Sequence, residues 1–195
     1  MKKSIEITIE SYNHRLLWEA AKKQFQASSI GEDAFYYRLA GLILSFFAFE
    51  SYLNYVGKII SPDIWENEKK NFSQGKYKGT LGKYEFLCSR MNVDINKGKR
   101  PDQTIYKLKK FRDYVAHAEK VYETTRVEFK EGHLPKPQKT YVEKIVTEAF
   151  VRQVKTDIER KVNEIHFMLK RLKPDWHLLK NAFEPLHTFQ YGEIR

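Results

Sequence analysis

Leu39-Ala40-Gly41-Leu42-Ile43-Leu44-Ser45-Phe46-Phe47-Ala48-Phe49 is the stretch on which the fold turns. Its eleven residues fall well short of the roughly 20 that a membrane-spanning helix needs, so it reads as a buried core helix, with no membrane partner expected. Followed in both directions, Phe35, Leu39, Leu42, Ile43, Phe46, Leu53, Val56 and Ile60 keep the i, i+3, i+4 spacing of a helix. That predicts one long helix from about Asp33, which can cap it, to about Ile60, where Ser61-Pro62 ends it. A helix this apolar has to be covered by others.

Outward from this pillar, Leu16, Leu17, Ala20, Ala21 and Phe25 mark a preceding helix over about Ser11 to Ala27, broken by Ser28-Ser29-Ile30-Gly31. The charged stretch between Pro62 and Gly79 reads as an exposed connection. Thr80 then offers a cap for a short helix carrying Leu81, Tyr84, Phe86, Leu87 and Met91. After the loop Asn96-Lys97-Gly98-Lys99-Arg100-Pro101, Asp102 opens a third major helix through Ile105, Leu108, Phe111 and Val115 to about Val121. Residues 122–146 change texture around Gly132-His133-Leu134-Pro135-Lys136-Pro137, with Val127, Phe129, Tyr141, Val142, Ile145 and Val146 on either side, which predicts a hairpin or irregular flap. Thr147-Glu148 opens a last long helix with Phe150, Val154, Ile158, Val162, Ile165 and Leu169, stopped by Pro174, and the apolar tail 174–195 is expected to dock on the bundle or on a second copy. The expectation is one all-α domain: an up-and-down bundle of four main helices, with its core over about 11–121 and 147–173 and the flap inserted before the last helix.

Composition narrows the function classes. Lys and Arg number 35 against 25 Asp and Glu, a formal charge of +10 that favours polyanionic partners, while the 14% aromatic share belongs to a folded chain. Cys88 stands alone, so no intramolecular disulfide forms, and the His spacing lacks the pattern of a structural zinc site. No metal and no cofactor are expected. The charged start, Met1-Lys2-Lys3-Ser4-Ile5-Glu6, has no unbroken apolar segment of a signal peptide, which together with the single cysteine points to the cytoplasm. Gly75-Lys76-Tyr77-Lys78-Gly79 does not have P-loop spacing, and no Rossmann fingerprint occurs.

The chemistry concentrates in Lys109-Lys110-Phe111-Arg112-Asp113-Tyr114-Val115-Ala116-His117. Four Arg and His pairs in the chain are separated by four to six residues, and context chooses among them. Arg126 and His133 lie in the flap, Pro174 interrupts Arg171 and His177, and Arg160 and His166 fall on opposed faces of one helix. Arg112 and His117 remain, about 140° apart on an ideal helix, a gap that a long Arg or a loosened last turn can bridge. Lys107, Lys109 and Lys110 add a basic face able to track a phosphate backbone, and Tyr106 and Tyr114 could stack on bases. The same residue types also serve plainer ends: a solvated surface, packing tyrosines, or cations answering the helix C-terminus.

This segment resembles the signature of the HEPN superfamily, an arginine followed by a polar residue with a histidine after four to six intervening positions, near the end of a bundle helix. A second feature agrees with the resemblance: an earlier apolar helix ending in an acidic residue with a polar one a turn later, here Glu50-Ser51-Tyr52-Leu53-Asn54. The resemblance covers roughly Asp33 to Val121 and the final helix. It implies an all-α homodimer in which the motifs of two protomers line one cleft, and, for many members, metal-independent endoribonuclease activity in toxin–antitoxin or phage-defence systems, with an antitoxin protein as a further partner. Its alternative is a non-catalytic HEPN-like bundle that binds RNA, a nucleotide or a partner protein. Glu119 stands where a subgroup paired with nucleotidyltransferase antitoxins has tyrosine, which speaks against regulation through a modified tyrosine there.

On this reading RNA supplies its own 2′-hydroxyl nucleophile. His117 acts as general base or acid, and Arg112 holds phosphate oxygens and answers the charge of the phosphorane. Asp113 is expected to orient His117 or hold Arg112. Glu50 and Asn54 lie on or beside the apolar stripe, so they are expected to be partly buried, with Arg112 as the partner of Glu50.

Overall fold

The computed structural model describes residues 12–29, 31–117, 138–175 and 181–183. The protein is all-α, and the described residues form eight helices and no strand. The first two, α1 (Asn13–Ala27) and α2 (Ala34–Ile60), pack along each other as a hairpin. The pillar α2 also meets α8 (Glu148–Leu172), α5 (Gly79–Arg90) and α6 (Asp102–His117), so the longest helix is the one that the others share.

Burial explains why. Leu42, Phe46, Ala48, Phe49, Tyr52, Leu53 and Val56 of α2 are fully enclosed, against Trp18 and Ala21 of α1, Tyr84 and Leu87 of α5, Ile105, Leu108 and Phe111 of α6, and Val154, Val162, Ile165 and Leu169 of α8. By length and composition α2 is long and apolar enough to cross a membrane, and half of its most apolar window is buried against the rest of the chain. Its outer face is apolar too: Tyr36, Tyr37 and Phe47 are exposed, and Ile43 and Leu44 are only partly covered.

The segment after Ser61, expected to be an exposed connection, contains two short helices, α3 (Pro62–Glu66) and α4 (Glu68–Asn71). Trp65 and Phe72 from this segment are buried and pack on each other and on Phe86. Gly57 makes this possible, because a Cβ there would lie 1.9 Å from the Trp65 indole. Short charged helices have too few residues for a periodic signal, and only the two aromatics betrayed them.

The flap expectation is corrected for its second half. Residues 138–146 contain a one-turn helix, α7 (Tyr141–Ile145), where the sequence reading placed hairpin or irregular chain. Thr140 and Glu143 form a reciprocal capping box, Thr140 N–H donating to Glu143 Oε2 at 2.7 Å and Glu143 N–H donating to Thr140 Oγ1 at 3.3 Å. Those two bonds satisfy the first-turn donors, and this local gain outweighs the β-favouring Tyr141-Val142. Residues 122–137 of the flap, and 118–121 at the expected end of the third major helix, lie outside the described residues. So does most of the tail, except that Ala182 is buried and Phe183 stacks on Trp18 at 4.8 Å. Thr147 caps α8 as expected, accepting from Phe150 N–H at 3.2 Å.

Candidate functional site

The two ends of α6 are built differently. At its start Asp102 is the first helical residue, and its buried carboxylate accepts from Tyr84 Oη, from Asn96 N–H at 2.7 Å, and pairs with Lys161 at 3.2 Å. Lys161, also buried, donates to the Asp94 carbonyl at 2.8 Å and to Glu164 at 3.0 Å. Arg100 grips Asp157 with two bonds of 2.7 and 3.0 Å, and Thr104 Oγ1 donates to the same carboxylate at 2.5 Å. These charges are consumed by each other and by the fold. Burial pushes the enclosed Cys88 thiol up to about 12, so it stays protonated.

At the other end the pairing is incomplete. Arg112 lies with its guanidinium 4.6 Å from the centroid of the Phe46 ring, and its Nη1 is 3.2 Å from Asp113 Oδ1. Its Nε is buried without a hydrogen-bond partner, although 18% of the side chain is exposed. Asp113 also accepts from Lys109, so this carboxylate holds both cations in place. His117 is exposed on the last residue of α6. The helix stays regular to that residue, so no loosened turn swings His117 toward Arg112: the two remain about 140° apart around the axis. No hydrogen bond, ion pair or ring contact joins them.

The remaining predicted residues separate by what they touch. Lys110 is exposed, whereas Lys107 lies with Nζ 4.5 Å from the Phe150 ring centroid. Glu50 and Asn54 are partly buried as expected, but their partners come from α5 and α3. Thr80 Oγ1 donates to Glu50, and Lys83 donates to Asn54 Oδ1 at 3.0 Å with Trp65 Nε1 beside it at 3.4 Å. The expected pairing of Glu50 with Arg112 is therefore not formed. Which residues of α5 land on α2 is a non-local fact, with no trace in the spacing around Glu50.

A second constellation meets α6 at Tyr106. Lys76, Tyr77, Glu85, Ser89, Ile95 and Lys97 line an open cleft of about 250 Å³. Lys97 pairs with Glu85 Oε1 at 2.7 Å, and Tyr106 of α6 donates to the same oxygen. Burial alone would raise Glu85, but these two hydrogen bonds and the charges of Lys97 and Lys76 hold its carboxyl below the usual range. The sequence singles out Tyr106 but not Glu85 or Tyr77, which give no pattern until the turn at 75–78 folds against α5.

Among the described residues no group of three His, Cys, Asp or Glu side chains is placed to hold a metal ion. No family model matches the chain, and no curated protein or solved structure matches it.

Proposed function

We propose that this protein is a HEPN-like, metal-independent endoribonuclease, organised as an up-and-down bundle of four principal helices and working as a cytoplasmic homodimer. The observation that carries the reading is the unfinished end of α6: a guanidinium with a bare buried Nε, held by Asp113 and Phe46, and an exposed imidazole five residues on. Arg112 offers donors to phosphate oxygens and to the charge of a phosphorane; His117 takes the 2′-hydroxyl proton or protonates the departing 5′-oxygen. Because the two point about 140° apart, Arg112 of one protomer serves with His117 of the other across a two-fold cleft. The apolar outer face of α2 supports such a dimer, since Phe47 follows Phe46, whose ring carries Arg112. A toxin–antitoxin or phage-defence setting, with an antitoxin protein as partner, fits the resemblance.

The test is cleavage of RNA in EDTA by wild type and by His117→Ala. The expected outcome is wild-type cleavage that persists in EDTA and falls by ~10²-fold or more in the variant. Equal residual rates for the two proteins contradict the enzyme reading. A second reading, a non-catalytic HEPN-like bundle that binds RNA, a nucleotide or a partner protein, is favoured by the inward lie of Arg112 on Phe46; it predicts salt-sensitive RNA binding without cutting.

A further inference from the structure

Where α1, α2 and α8 meet residues 181–183, the protein encloses two imidazoles. His14 and His166 are both buried, and both lie against Tyr52: its ring is 5.4 Å from that of His14 and 6.3 Å from that of His166, and its Oη is 3.3 Å from His166 Nδ1. Tyr12, Tyr55 and Phe183 stand around His14 as well, with ring centroids 6.0, 5.0 and 6.3 Å away.

This surrounding is hostile to a proton on His14. Arg15 of α1 and His166 of α8 oppose it by their charge, and α2 presents the rings of Tyr52 and Tyr55. Among the described residues no carboxylate pairs with the imidazole. Residues 181–183 supply the one group that favours the charged ring, a hydrogen bond to the Ala182 backbone, whose acceptor is therefore the carbonyl. Burial outweighs that bond and lowers His14 from the ordinary 6.5 to about 4.

The walls of the cluster are not equally firm. Trp18 and Tyr52 belong to the long helices α1 and α2, which pack along each other, and Trp18 Nε1 donates to Glu159 of α8 at 3.2 Å. Residues 181–183 belong to no helix. They sit on the bundle by the Phe183 stack on Trp18 at 4.8 Å, the burial of Ala182 and the bond to His14. Lifting them off brings water to His14 without parting any two helices, so a proton forced onto this ring is relieved there first.

We propose that residues 181–183 form an acid-released latch, docked on His14 and Trp18 while the imidazole is neutral and lifted off when it takes up a proton. Release bares the rings of Trp18 and Tyr52, which the docked segment helps to enclose. The latch does not depend on the nuclease reading.

Above pH ~6.5 neither the docked nor the lifted form protonates His14, and docking is at its strongest. As pH falls from 6.5 toward 4 the lifted form binds the proton first, so docking weakens about tenfold per pH unit, and about a hundredfold by pH 4.5.

The test is NMR of the full-length protein carrying ¹³C-methyl alanine, with the Ala182 signal identified by Ala182→Gly. Near pH 7 this methyl is expected to lie away from its free-chain position, because it is buried beside aromatic rings, and to move to that position by pH 4.5. Ala21 and Ala48, enclosed in α1 and α2, are expected to stay where they are and so report on the rest of the fold. His14→Gln keeps an N–H for the Ala182 carbonyl and takes up no proton in this range. It is expected to hold Ala182 docked at both pH values, with His14→Phe as a second non-titrating variant. An Ala182 methyl unmoved down to pH 4.5, the same movement in a variant docked at pH 7, or Ala21 and Ala48 moving with it overturns the latch. Release at pH 7 in both variants overturns it too, because the imidazole rather than its proton then governs docking.

Discussion

The two ends of α6 carry the same kinds of side chain to opposite effect. Around Asp102 the buried charges are paired: Lys161 with Asp102 and Glu164, Asp157 with Arg100. Around Arg112 one guanidinium nitrogen is bare and the imidazole of His117 is exposed. Saturated polar groups hold a loop and two helices together; at the other end the exposed part of Arg112 and the exposed His117, on another face of the helix, are what a ligand can reach. The contrast predicts where substitutions damage the fold and where they damage only activity.

The largest effect is expected at the saturated end. Lys161→Ala leaves Asp102 without its cation and the Asp94 carbonyl without its donor, and should cost ~3–5 kcal/mol in urea unfolding. A loss below ~1 kcal/mol would show that this network is ornamental.

Next comes a pH effect remote from both ends. His14 is enclosed between α1, α2 and the docked residues 181–183, with Tyr52, Tyr55 and Phe183 around its ring. Burial lowers it from the ordinary 6.5 to about 4, with a bond to the Ala182 backbone pulling upward and Arg15 and His166 pushing further down. Above pH ~6.5 neither the folded nor the unfolded chain protonates this ring, so its contribution is whole there; as pH falls from 6.5 toward 4 the unfolded chain binds the proton first and stability drains away. The loss should reach at most ~3 kcal/mol, and His14→Phe should flatten that part of the stability–pH curve. A curve unchanged by the substitution would remove His14 from the account.

At the unsaturated end the expectation reverses. Arg112→Ala should lower RNA cleavage by ~10²- to 10³-fold, while its thermal unfolding moves by no more than the loss of one ring contact, ~1 kcal/mol. If Arg112→Ala unfolds the protein as Lys161→Ala does, the two ends are not different in kind. The smallest effect belongs to the half-exposed Lys109. Lys109→Ala should change stability by less than ~0.5 kcal/mol, because an i, i+4 pair near the surface is worth little.

What the sequence disclosed follows the same division between local and distant. The pillar, the helix opened by Thr147 and the helix that begins at Asp102 were legible because apolar periodicity acts within a few residues; of the caps expected with them only that of Thr147 forms, since Asp33 makes no side-chain cap bond, Thr80 lies inside its helix and turns to Glu50, and Asp102 is itself the first helical residue. The capping box at Thr140 and Glu143 is equally local, but the β-favouring Tyr141-Val142 between its members points to a strand. Trp65 and Phe72 become core only after the chain turns back over Gly57, and Glu50 meets Thr80 only once α5 is docked. For the candidate site, context leaves Arg112 and His117 among four such pairs, and the resemblance to the HEPN signature puts them forward. The bare Nε, the Phe46 platform and the role of Asp113 as holder of two cations depend on packing and rotamer, which spacing does not encode.

The most direct test of the central claim, that Arg112 and His117 act on RNA across a two-fold interface, is complementation by two dead variants. Arg112→Ala and His117→Ala proteins are unfolded together, refolded as a mixture, and assayed for RNA cleavage in EDTA. Half of the randomly paired dimers then hold one intact site, with Arg112 from one protomer and His117 from the other, so the mixture should recover about a quarter of wild-type activity while each variant alone stays inactive. A mixture as inactive as its components, from variants that fold and pair, would contradict the claim.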